Sequence, residues 1–326
     1  MRRISLTIVA AAACLASSSL MAAETPASQL PLDHPVVQRW SQVLDAAWPL
    51  QASNAALCPD AAKHLVGLQS GEVLSGHGIN VVSVPTDSPA AVAGLLAGDV
   101  ITEINGTEFD ARKPAKNLER YQEFREDVDD SPWQVSLLRA GAPLSLTINP
   151  VLACDFQVLY VPTPLPVTRQ GNIVITGSEM DSATSTRAEV QIYLAQQFGL
   201  IAGSQTGKRA GTKGWLNRAS AIGSFATGVN LGGGEGMLAG MIHGKKQSLE
   251  GDRIALYMLA RAGVDMEKVS SFYPQLMQAS ATGVVGKLQG LSSAPVEERQ
   301  AAVSSTVEEI RVKQQSGAAL SIDEAS

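Results

Sequence analysis

The stretch from Ser88 to Phe109, reading SPAAVAGLLAGDVITEINGTEF, constrains the fold more tightly than any other part of the chain. A serine followed by a proline opens a short apolar helix, Ser88 to Leu95, because serine caps the first free N–H groups and proline tolerates the first helical position. Gly98 to Ile104 then reads as a strand, Asn105-Gly106 as a tight turn, and Thr107 to Phe109 as a restart in the opposite direction. Upstream, Gly78 to Val84 (GINVVSV) alternates as a further strand. A strand, a capped half-turn, a second strand and a hairpin within about thirty residues leave room only for a small, tightly turned β-rich unit.

This order of turns resembles a PDZ domain of the bacterial kind, carried by the string S-P-A-x-x-A-G-L-x-x-G-D-x-I-x-x-I-N-G. The resemblance implies that Ala115 to Val128 is the second PDZ helix and that Trp133 to Leu138 with Leu144 to Ile148 close the sheet. It also implies a site. A peptide's C-terminus would add as a strand beside that helix, its carboxylate held by backbone N–H groups of the preceding loop. Ser75, Gly76, His77 and Gly78 are expected to form that loop, with Ile79 and Val81 beside the groove. The bland alternative is a closed groove that only positions the rest of the chain.

The second half is organised differently. Gly171 to Gly177 (GNIVITG) reads as a strand between glycines, and Val190, Tyr193, Leu194, Phe198 and Ile201 recur as one helical face. Farther on come Ser248 to Asp265 (SLEGDRIALYMLARAGVD) and Leu291 to Arg299 (LSSAPVEER). In that order the four segments resemble peptidase family M forty-eight, the zincin family that includes the CAAX prenyl protease, over residues 156–315. The resemblance implies a mainly helical domain with a small sheet. It aligns Gln196, Gln197 and Leu200 with the H-E-x-x-H motif, and Glu250 with the distant glutamate. A zincin needs two imidazoles one helical turn apart and a carboxylate base between them. An amide is a poor zinc ligand, leucine is none, and Gln197 cannot take a proton from a metal-bound water. No catalytic residue is therefore expected. Glu250 is left as a vestigial carboxylate, no metal or cofactor is expected, and zinc enters only if an unrecognised ligand set makes the chain an active metalloendopeptidase.

The four histidines do not rescue such a site. His34, His64 and His77 lie in the first half, and His243 precedes Glu250 by two helical turns, about 10 Å along a continuous helix. Gly203 to Arg209 resembles a phosphate loop but has the wrong glycine spacing. The apolar, glycine-rich run from Ala219 to Gly244 is interrupted by Asn230 and Glu235 and is expected to be core rather than a membrane span.

The N-terminus reads as an export signal over residues 1–23: a basic Met1-Arg2-Arg3, an apolar core from Ile4 to Ala13, and a small-residue end at Ala22-Ala23. Periplasmic location is expected, with lipidation at Cys14 as the alternative and the one route to a membrane. The formal net charge is −6 and grows more negative without Arg2 and Arg3, so there is no electrostatic case for nucleic acid. Cys58 and Cys154 bracket the PDZ-like unit. In an oxidising compartment they are expected to pair and tie its ends; two separate buried thiols are the alternative.

The expected architecture is α+β: a lead-in segment (24–56), a PDZ-like β-sandwich or barrel with helices (57–155), a zincin-like helical domain (156–315) and a flexible tail (316–326). The function it suggests is a non-catalytic pseudo-metallopeptidase that binds peptide termini or unfolded segments as an adaptor in envelope protein quality control. Alternatives are the active peptidase and a structural partner of an active peptidase paralogue.

Overall fold

Two hydrophobic cores divide the chain, and the division does not follow sequence order. The computed structural model describes residues 31–70, 78–109, 114–126, 128–161, 169–170, 173–206, 235–281 and 293–322. One core, built from Val66, Ile79, Ile101, Ile104, Trp133, Leu137 and their neighbours up to Ile148, belongs to the β-rich unit. The other joins Val37 to Ala61 with Cys154 to Ile310. The β-rich unit is thus inserted between a first helix and the body to which that helix belongs.

The first helix, α1 (Pro35–Ala52), forms in the lead-in segment. His34 caps it by accepting from the Val36 N–H at 3.2 Å. Its buried stripe of Val37, Trp40, Val43, Ala47 and Leu50 recurs at three and four residues and faces the body. The Trp40 indole N–H donates to the Val158 carbonyl at 3.2 Å.

After two 3₁₀ turns the chain rises through β1 (Ala62–Leu65), and it returns through β8 (Val151–Cys154), which pairs with β1 antiparallel from Ala62↔Cys154 to Leu65↔Val151. Cys58 and Cys154 are disulfide-bonded, Cα to Cα 5.9 Å, at the foot of this ribbon. Both sulfurs lie in the body's core rather than in the inserted unit. Boundaries drawn at 57 and 155 therefore fall on the body side of the ribbon, because pairing across residues 62–65 and 151–154 carries the two ends of the insertion together.

Within the insertion come β2 (Gln69–Ser70), β3 (Ile79–Ser83), α2 (Pro89–Val92), β4 (Val100–Ile104), β5 (Thr107–Glu108), α3 (Pro114–Glu126), β6 (Trp133–Arg139) and β7 (Ala142–Ile148). The sheet order is β2-β3-β4-β6-β7, with β5 paired to β4 through the turn at Asn105 (φ 50°) and Gly106 (φ 79°). The Ser88 hydroxyl accepts from the Ala91 N–H at 3.1 Å and caps α2 as its sequence requires. Asp99 is buried at the turn before β4, where its carboxylate takes both N–H arms of Arg139 at 2.8 Å and the Leu96 N–H at 2.8 Å. Burial alone would push this carboxyl up, but the Arg139 guanidinium and the Leu96 amide more than offset it, so its pKa lies below the usual value.

The body contains a three-stranded sheet in the order β10 (Arg169–Gln170), β11 (Ile173–Thr176), β9 (Gln157–Tyr160), with β9 and β11 parallel. Its helices are α4 (Ser178–Ala183), α5 (Arg187–Thr206), α6 (Glu235–Arg261), α7 (Met266–Ala281) and α8 (Val296–Ser316). The α5 and α6 backbones touch where Gly199 and Gly203 meet Gly251. A Cβ on Gly199 would overlap the Gly251 carbonyl oxygen and come within 2.8 Å of the Ala255 nitrogen. Gly199→Ala in an ordinary helix would raise stability by about 1 kcal/mol. Here it is expected to lower it by about 1–3 kcal/mol. A rise in melting temperature would show that the helices do not cross this closely.

The end of the chain also departs from expectation. Gly317 (φ 67°) closes α8, but Leu320 and Ile322 turn back and pack against the body core. The tail is therefore anchored as far as 322, because its two aliphatic side chains have apolar surface to cover. Among the described residues no helix is long and apolar enough to cross a membrane. Residues 1–30 and 207–234, which include the stretch read as an export signal, Cys14 and most of the apolar glycine-rich run, lie outside the described residues.

Candidate functional site

Of the six residues expected to bind a peptide, Gly78, Ile79 and Val81 are among the described residues. Ser75, Gly76 and His77 lie outside the described residues. Gly78 takes φ 128° and is buried, and a Cβ there would overlap the Ile101 carbonyl, so this glycine exists to let β3 approach β4. Ile79 and Val81 are each 1% exposed and point into the unit's core. Moreover β3 is paired on both sides, to β2 through Gln69↔Ser83 and Ser70↔Val81 and to β4 through Ile79↔Ile101. A strand with two neighbours has no free edge, so among the described residues Ile79 and Val81 lie inside the unit rather than on an open edge.

Among the described residues the sheet ends on one side at β7 and on the other at β2. β2 is reached from β1 through Val66, Gly67 and Leu68, a loop with no polar side chain. The Val66 carbonyl accepts from the Ala90 N–H at 2.9 Å, which ties the loop to the start of α2. Gly67 takes φ 67°, a conformation that lets backbone N–H groups turn toward one side. Val66 is buried in the unit's core and Leu68 packs half-buried against that core. This apolar-Gly-apolar loop leading into a terminal strand is the feature that sequence reasoning missed. The string Leu65-Val66-Gly67-Leu68 was its only signal, and it is too short to stand out without knowing that β3 is interior.

The second candidate site lies where α5 meets α6. Gln196 and Gln197 are buried and Leu200 is half-buried, its Cδ2 within 2.9 Å of the position a Gly251 Cβ would take. Glu250 is half-buried one residue before that contact. Gln197 is engaged rather than free. Two amides, a leucine and one carboxylate do not fit zinc, which takes imidazole, thiolate and carboxylate donors. Among the described residues no three His, Cys, Asp or Glu side chains converge as a ligand set. His34 caps α1 and His64 sits in β1 opposite Leu152, so neither reaches α5; the His243 side chain lies outside the described residues.

The neighbouring acidic group is structural. Asp252 is buried and accepts from both arms of Arg299 at 2.7 Å and from the Tyr273 hydroxyl at 2.9 Å, joining α6, α7 and α8. Burial would draw the Arg299 pKa down, but the Asp252 carboxylate raises it above its ordinary value.

A family model for the PDZ domain matches residues 81–124, so the inserted unit contains a PDZ domain. Among solved structures, the chain is similar to the HtrA3 PDZ domain bound to a phage-derived ligand, FGRWV. The identity is 23% and the TM-score 0.24, over 28% of this chain and 88% of that one. It is also similar to a serine endoprotease from Yersinia pestis, at 27% identity and TM-score 0.22, over 28% of this chain and 30% of that one. The HtrA-type protease AlgW with a decapeptide is similar at 24% identity and TM-score 0.21, over 32% and 31%. The chain thus spans about a third of these two longer proteases. No curated protein matches the chain.

Proposed function

We propose that the chain is a non-catalytic peptide-binding protein whose inserted PDZ domain captures extended C-termini on the outer edge of β2. The observation that carries this is the position of β2 at one end of the sheet, entered through the Val66-Gly67-Leu68 loop. A bound peptide would add as a further strand, exchanging main-chain hydrogen bonds with β2 while its carboxylate meets the N–H groups of the loop. The second wall would be α3, which covers the same core through Tyr121. Backbone bonding supplies affinity for any extended chain, and the apolar loop favours an apolar last side chain.

The body is read as a scaffold of the zincin kind without peptidase chemistry, supported by the donor set at Gln196, Gln197, Leu200 and Glu250. Export to the periplasm, suggested by residues 1–23, would place such a binder among unfolded or cleaved envelope proteins, as an adaptor in their quality control. An active peptidase paralogue is a fitting partner for that role.

The test is a fluorescence polarisation screen of the mature chain against a C-terminal heptapeptide library, each peptide made with a free and with an amidated C-terminus. Binders are expected among the free acids, and amidation should weaken them at least ten-fold. Equal affinity for both forms, or no binder at all, would overturn the assignment.

A further inference from the structure

The Val66-Gly67-Leu68 loop meets a side chain from outside the PDZ domain. Beside its buried stripe, α1 carries Ser41, Asp45 and Trp48, three and four residues apart, toward the inserted unit. Ser41 lines a cleft of about 500 Å³ with Val84 and Leu95 of the insertion. Asp45 accepts from the Thr86 N–H at 2.7 Å with one carboxylate oxygen, and pairs with Arg187 at the start of α5 at 3.1 Å with the other. Trp48 is 5% exposed, and the far edge of its indole lies 3.1 Å from the position a Gly67 Cβ would occupy. The Ser88 Cβ closes on the same point at 2.5 Å. Gly67 therefore sits between a residue of its own domain and the ring of a body helix.

We propose that Trp48 is a positioning residue for the peptide site: from α1, it holds the Val66-Gly67-Leu68 loop in the conformation that receives the peptide carboxylate. This rests on the assignment of that loop as the carboxylate site. The place of the indole is set largely from the body, because Val43, Ala47 and Leu50 hold α1 in the body core, with Val82 and the Thr86 amide as its contacts from the insertion. The left-handed Gly67 has no side chain of its own to anchor it, so the loop's restraint comes from the Ala90 amide, Ser88 and Trp48. The coupling is reciprocal. A change in the body that moves α1 alters peptide affinity, and a bound peptide stiffens α1 around Trp48.

Amide hydrogen exchange on the full mature chain tests this without a ligand. Trp48→Ala is expected to speed exchange at residues 66–69 at least ten-fold while β4 and β6 keep their protection, and Trp48→Phe, which keeps a flat ring, should restore most of it. Unchanged exchange at 66–69, acceleration spread evenly over the PDZ domain, or a Phe variant as fast as Ala would overturn the proposal. Should Trp48→Ala fail to fold, Trp48→Leu keeps apolar volume without the ring and carries the same expectation. A second arm measures the best free-acid peptide from the screen: its affinity should fall at least five-fold in Trp48→Ala and recover in Trp48→Phe, and an unaltered affinity counts against the proposal. A library without any binder to the wild-type chain sinks the peptide-binding assignment alone, since the exchange result still decides whether Trp48 holds the loop.

Discussion

Asp252→Ala is expected to destabilise the body by about 3–5 kcal/mol. The Asp252 and Arg299 side chains are 1% and 11% exposed, and the carboxylate also receives the Tyr273 hydroxyl. Removing it strands a guanidinium away from water, and the penalty is the desolvation of that unpaired charge rather than the lost attraction. The pair itself carries little net stabilisation, because both charges had to leave water to form it. The double variant Asp252→Leu with Arg299→Met should therefore recover most of the loss. Urea unfolding of the two variants decides it. A double variant no more stable than the single one would mean that the pair contributes through geometry that apolar packing does not replace.

Replacing both members of the disulfide, Cys58→Ser with Cys154→Ser, is expected to remove about 2–5 kcal/mol. The bond closes a loop with a sequence separation of 96. Cross-linking a loop of that size restricts the unfolded chain by roughly 4.7 kcal/mol in the entropic account. Serine is the suitable replacement, because the Asn54 carbonyl lies 3.2 Å from the Cys154 sulfur and can accept from a new hydroxyl. The effect should appear in calorimetry as a lower melting temperature with folded-state circular dichroism unchanged. A loss below about 1 kcal/mol would show that the ends of the insertion are restrained by something other than this bond.

Both effects arise at joints between elements, and the sequence spoke far less clearly about joints than about the elements themselves. The Ser88-Pro89 cap, the Asn105-Gly106 turn, the β6–β7 hairpin and the Cys58–Cys154 pairing were legible, since each depends on local chemistry or on the count of thiols left in the chain. The peptide edge was not. β2 is only two residues long, and nothing in Gln69-Ser70 says that it ends a sheet. Alternation in Ile79 to Ser83 marks a strand equally well at an edge or in the middle, and only the pairing of both its sides moved the candidate site to β2.

The sequence by itself determined a PDZ domain, a disulfide across its ends, and a long helix carrying Gln196, Gln197 and Leu200. Those follow from residue identity and from periods of two and 3.6, which are properties of a few neighbouring residues. Tertiary structure alone decided that the PDZ domain is an insertion, which side chains of α1 enter the body core, and that Trp48 reaches the loop at Gly67. These are contacts between segments far apart along the chain. Apolar side chains on α1 carry no label for the core they will join, because burial of apolar surface is non-directional, and shape complementarity of the folded elements selects the partner.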